Sequence, residues 1–204
     1  MVSRNVRRVV TGHDEAGKAI VLSDGAPPHV TRPDHQPGLA FHEIWHTDQC
    51  PAPVTAHESE PTDRYRDTAP PPRGTIIRIV DIPPEGQEGP GFDKETARQL
   101  FENVGLGENA EHTIPGRHPL MHRTESIDYG IVLEGQIVLL LDEDEVVLEQ
   151  GDLVVQRGTI HAWTNRTDQI ARMLFVLADG AFDPDLRNRF EGHDLRLKQA
   201  HGLA

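Results

Sequence analysis

At 204 residues the chain has room for one domain with a sizeable core, whereas two independent domains would each be small. Its 36% hydrophobic and 26% charged residues give a globular balance, and 16 Pro with 18 Gly imply many turns and long loops. A formal net charge of -13 without a long basic block argues against nucleic acid and anionic membrane surfaces as partners.

The N-terminus MVSRNVRRVV is basic but runs into the polar GHDEAGK rather than a signal-peptide apolar core, and no apolar stretch approaches a membrane span, so a cytoplasmic location is expected. Arg7 to Thr11 and Ala19 to Ser23 are β-branched runs on either side of GHDEAGK and read as a hairpin. Leu39 to His46 (LAFHEIWH) alternates apolar and polar residues, and Gly74 to Ile82 (GTIIRIVDI) is rich in β-branched ones; both read as strands. Residues 48 to 73, with CPAPV and APPPR, should be an exposed loop, and the single Cys50 in it reads as incidental rather than nucleophilic. Residues 93 to 104 (DKETARQLFENV) place Ala97, Leu100, Phe101 and Val104 at helical spacing between an Asp cap and Gly105. From Gly116 to Leu177 short strands alternate with turn signals, which indicates an all-β barrel or sandwich, with DEDE at 142 to 145 a solvated hairpin tip. The tail from Asp183 to about Gln199 reads as helical, with Gly192 interrupting it.

Two segments carry chemistry. If HPLMHRTESIDYGIVLEG (118 to 135) holds one extended strand over 122 to 132, then His122, Thr124, Ser126, Asp128, Gly130 and Val132 share a face. In GDLVVQRGTIHAWTN (151 to 165), a turn at Arg157 and Gly158 leads to a strand with His161, Trp163 and Asn165 on one face. These segments resemble the two motifs of the cupin superfamily. Gly116, His122, Asp128 and Gly135 match the first, with Thr124 where the second histidine usually stands and an acid one carbon shorter than the usual glutamate. Gly151, Gly158, His161 and Asn165 match the second, with one residue fewer before His161 and no proline before Gly158. The opening RRVVTGHDEAGKAIVLSDG is similar to the N-terminal extension of single-domain cupins, some of them labelled oxidoreductases of secondary metabolism.

The resemblance implies an all-β fold: a cupin-type antiparallel β-barrel (jelly roll) with an N-terminal strand extension and a short C-terminal helix. Residues 1 to 47 would be strands packing on the barrel or a partner subunit, 48 to 73 the Pro-rich loop, 74 to 178 the barrel and 179 to 204 the helical tail. It also implies one divalent transition metal, iron, manganese, nickel, zinc or copper, on His122, Asp128 and His161, with His118 and then Glu125 as reserve ligands. Thr124, Trp163, Arg123 and Arg157 are the expected substrate contacts, and Arg172 a further candidate for a substrate carboxylate. Structural roles stand beside these: Asp128 bonding a turn or an Arg, and His42 and His46 as strand residues.

The expected function is a metal-dependent enzyme acting on a small organic molecule, carboxylate, aromatic or polyketide-like, by dioxygenation or a lyase or isomerase step. A metal-free ligand-binding or sensory cupin is the alternative that Thr124 motivates, and a scaffold role the third. Pairing of cupins through their sheets makes a homodimer the expected state.

Overall fold

β-Branched and aromatic runs set the strands, and glycine-bearing turns fold them back on one another. A computed structural model describes residues 5–34, 36–56, 58–63, 69–86, 110–111 and 117–200. The helix expected at 93 to 104 and the motif residue Gly116 lie outside them. Strands β1 (Arg8–His13) and β2 (Ala19–Gly25) form the expected hairpin, closed by the Asp14 carboxylate accepting the Ala16 and Lys18 N–H groups at 2.9 Å. They are followed by β3 (Val30–Thr31), β4 (Ala40–Thr47), β5 (Thr75–Ile82), β6 (Ala110–Glu111) and β7 (Arg123–Thr124). Next come β8 (Ser126–Glu134), β9 (Gln136–Leu140), β10 (Glu145–Glu149), β11 (Leu153–Arg157), β12 (Ala162–Thr164) and β13 (Ala171–Asp179), then helix α1 (Pro184–Ala200).

One sheet has the order β11-β8-β13-β5-β4-β3 and another the order β10-β9-β12, antiparallel throughout. Alternation along β8 buries Ser126, Asp128, Gly130 and Val132 and turns Ile127, Tyr129 and Leu133 outward. Between the sheets Val132, Ile137, Leu139, Leu148, Ala171 and Met173 form the core, with Trp163 and Phe175 packed against it. The opposite face of β9 and β12 is buried too: Val138, Leu140 and Ala162 join Met121 and Ile160, and Leu197 of α1 packs on them. Burial on both faces explains the unbroken apolar run IVLL in β9.

Two motif glycines serve the turns. Gly135 has φ 81°, and a Cβ there would come within 3.2 Å of the Ala171 backbone. Gly158 has φ 59°, and a Cβ would collide with the Phe182 ring.

Three expectations change. The single strand over 122 to 132 is broken at Glu125, whose carbonyl accepts the Gly180 N–H (3.3 Å) while its carboxylate binds the segment entering α1. The tail helix is continuous over 17 residues, Gly192 included. Asp183 caps it by accepting the Asp185 N–H at 2.9 Å ahead of Pro184, and packing along one face offsets the weak propensity of glycine. The described residues of the loop at 48 to 73 are only partly exposed. Val54 is 88% exposed, but Thr62 is fully buried and Ala69 nearly so. Its short 3₁₀ turn (Pro61–Asp63) follows Glu60, which holds Arg8 through two bonds of 2.7 and 2.8 Å and accepts the Thr62 hydroxyl at 2.6 Å.

Candidate functional site

The two motif histidines face each other across a single antiparallel bridge. His122 N–H donates to the His161 carbonyl and His161 N–H to that of His122, both at 2.9 Å, and the ring centroids lie 4.4 Å apart. Each ring is also tied to its own chain two residues back. Nδ1 of His122 lies 3.0 Å from the Leu120 carbonyl and Nδ1 of His161 lies 2.9 Å from that of Thr159. A carbonyl only accepts, so each Nδ1 carries a proton. Burial, then the neighbouring His122, pushes the His161 imidazole down to about 3 against the Thr159 carbonyl, so that it is neutral around neutral pH. Trp163 stands edge-on to His161 (5.8 Å) and Phe175 edge-on to Trp163 (5.4 Å), which continues the pair as an aromatic row into the core.

Asp128 is buried in the middle of β8, between Gln156 of β11 and Leu177 of β13, and its Oδ1 has no hydrogen-bond partner. Burial raises its carboxyl to about 6; the Ser126 hydroxyl beside it, outside good hydrogen-bond geometry, offsets this only in part. Thr124 is buried one step after Arg123. Among the described residues no three His, Cys, Asp or Glu side chains stand close enough to enclose a metal ion. His122 and His161 are brought together, and Asp128 does not complete a group of three with them.

The reserve ligands have other roles. His118 Nδ1 accepts the Leu120 N–H at 3.1 Å, which uses its lone pair, while Nε2 lies 3.5 Å from Glu85. Glu125 Oε1 accepts from the Phe182 N–H and from Arg187. The arginines expected at the substrate are placed as follows. Arg123 is 2% exposed and turns away from His122 to bond Asp194, Arg157 is exposed on the outer face of β11, and Arg172 is bound through two bonds to Asp81. Asn165 braces a turn, donating to the Ile82 and Gln169 carbonyls at 2.9 and 2.7 Å.

Sequence reasoning missed two buried ion clusters. On the inner face of the large sheet Glu43 binds Arg78 and His46, each at 2.9 Å. Burial works to raise the Glu43 carboxyl, but His46 and Arg78 outweigh it and hold it below its usual range. On the outer face His42 (3.1 Å) and Arg172 bind Asp81 and hold it at about 2, against the opposing effect of burial. Arg78 within the β-branched run GTIIRIVDI was the available signal, because an inward arginine requires a buried acid.

An antiparallel two-sheet barrel with two opposed histidines defines the cupin class. Residues 110–177 match the Cupin_2 family model, described as a cupin domain. The chain is 33% identical over 182 residues to "Phomopsin biosynthesis cluster protein C'" of Diaporthe leptostromiformis, covering 85% of this chain and 78% of that protein. It is 30% identical over 189 residues to "Cupin-domain-containing oxidoreductase fogC" of Aspergillus ruber, covering 87% and 74%. The Schizosaccharomyces pombe Cnp3 cupin domain superposes with a TM-score of 0.40 at 12% identity, covering 93% of this chain and 96% of that one. The chain belongs to the cupin superfamily.

Proposed function

We propose that the chain is a cupin enzyme of oxidoreductase type acting on a small aromatic organic molecule, with a divalent transition metal held by Nε2 of His122 and of His161. One observation carries this reading: both Nδ1 atoms donate to main-chain carbonyls, so Nε2 is the atom through which each ring would ligate a metal, and the two ring centroids lie 4.4 Å apart. Imidazole nitrogen suits iron, manganese, nickel, zinc and copper alike. When bound, such a metal supplies polarisation of a carbonyl or enolate for a lyase or isomerase step, or a site for dioxygen. The protein contributes a water-poor wall: Trp163 and Phe175 offer ring edges to an aromatic substrate, and Thr124 a buried hydroxyl. Since Arg123 and Arg172 are engaged elsewhere and Arg157 faces outward, aromatic contact rather than carboxylate pairing is the recognition this chain favours. The names of the relatives support the oxidoreductase class.

Metal analysis of untagged protein tests the reading. A near-stoichiometric transition metal that is lost in His161→Ala is expected; the absence of metal from the native chain, or its retention in His161→Ala, overturns it. The second reading is a metal-free ligand-binding cupin, favoured by Thr124 and by the lack of a third donor among the described residues. It predicts ligand binding that survives chelation. The proposed setting is the cytoplasm, and among the described residues no helix is long and apolar enough to cross a membrane.

A further inference from the structure

The segment around His122 faces two ways. His122 lies against His161, while Met121, Arg123 and Glu125 turn to the other side and meet α1. Met121 belongs to the cluster on which Leu197 packs. The Arg123 guanidinium donates to Asp194 Oδ2 at 2.6 Å and sits 4.0 Å from the Phe190 ring centroid. Glu125 accepts from Arg187 at 2.6 Å. The four helix residues Arg187, Phe190, Asp194 and Leu197 recur at helical spacing and form one face of α1, so the helix runs antiparallel to residues 121 to 125, bonding Glu125 and Arg123 directly and packing Leu197 on the cluster that contains Met121. Among the described residues the ladder on this segment is slight by comparison. β7 has two residues, paired to a two-residue β6, and His122 itself has the single bridge to His161.

We propose that α1 is a brace that positions the His122 imidazole, with Arg123 as the positioning residue through which it acts. This rests on reading the His122–His161 pair as the working site, but it makes a claim about this chain's own geometry that holds with or without metal. A short strand free to twist would let the imidazole swing off His161; a buried cation stacked on Phe190 and bonded to Asp194 fixes the backbone one residue away. Arginine suits this because its planar fork can stack and donate together.

The test uses the full-length, metal-free protein with labelled histidine, its ring signals assigned through His122→Ala and His161→Ala, and compares wild type with Asp194→Asn, Arg123→Met and Arg123→Lys by NMR. Asp194→Asn and Arg123→Met are expected to shift the His122 ring signals and to lose the ring-to-ring contact with His161, while Trp163 and Met173 signals in the core stay in place. Arg123→Lys, which keeps the charge on Asp194, is expected to restore part of the contact. Loss of amide protection in α1 with the His122 signals and ring contact unchanged would overturn the proposal. So would core signals moving as far as those of His122. Should Arg123→Met fail to fold, Asp194→Asn decides. Because no metal is present, failure of the metal reading leaves this result standing, and the reverse also holds.

Discussion

Burial acts on His161 and Asp128 with opposite chemical results: it favours the unprotonated imidazole and the protonated carboxyl. For Asp128 the folded value of about 6 lies above the usual 3.8, so the native state binds more protons than the unfolded chain between those values. Stability from this group therefore falls as pH rises from about 4 to about 6, and the shift corresponds to about 3 kcal/mol. Asp128→Asn is expected to raise stability by up to that amount at about pH 8 and to flatten the slope below about pH 6, read from urea midpoints across pH. Lower stability of the variant at high pH would show instead that the carboxylate is well paired. Asp81 has the opposite sign. Held at about 2, it contributes stability that is present above its unfolded value and lost as pH falls toward about 2. The histidine pair was legible in the sequence because alternation and turn glycines fix which side chains face inward. The fate of the arginines was not: alternation turns Arg123 outward, but its partner Asp194 lies 71 residues away and no local pattern names it.

Among the elements, the turn before His161 is the most constrained. Gly158 combines φ 59° with a Phe182 ring where a Cβ would stand, and Phe182 in turn stacks edge-on against Phe190 of α1 at 4.9 Å. Gly158→Ala is expected to cost about 1–3 kcal/mol and to loosen α1, measured by urea unfolding and by amide exchange in the helix. A variant as stable as wild type would mean that Phe182 moves aside freely. Most strands were readable from β-branched runs bounded by turn residues, and β4 and β5 fall within a residue of their expected bounds. The break at Glu125 was not readable, since 122 to 132 carries no glycine or proline until Gly130; tertiary bonds from the Glu125 carboxylate to Phe182 and Arg187 impose it. Gly192 misled for the converse reason, because packing along Arg187, Phe190, Asp194 and Leu197 holds the helix through it.

Across the whole molecule, the outer face of the large sheet carries an exposed apolar stretch on β8 and β11 that ends at Arg157. Ile127, Tyr129 and Leu133 of β8 and Leu153 and Val155 of β11 are 36–59% exposed, with Val155 paired to Tyr129 and Leu153 to Ile131. β11 is also an edge strand. A contiguous apolar face on a chain of net charge -13 is where two copies can meet without their acidic surfaces opposing each other. The proposed homodimer should therefore be seen in sedimentation velocity, and Val155→Arg should give a folded monomer; a monomeric wild type would remove the proposal. The most direct measurement of the central claim is a crystal structure of the protein as purified, with anomalous scattering recorded at transition-metal edges. A peak within coordination distance of Nε2 of both His122 and His161 is the predicted result. An ordered His122–His161 pair with no peak beside it, or with a peak bound elsewhere in the chain, would contradict it.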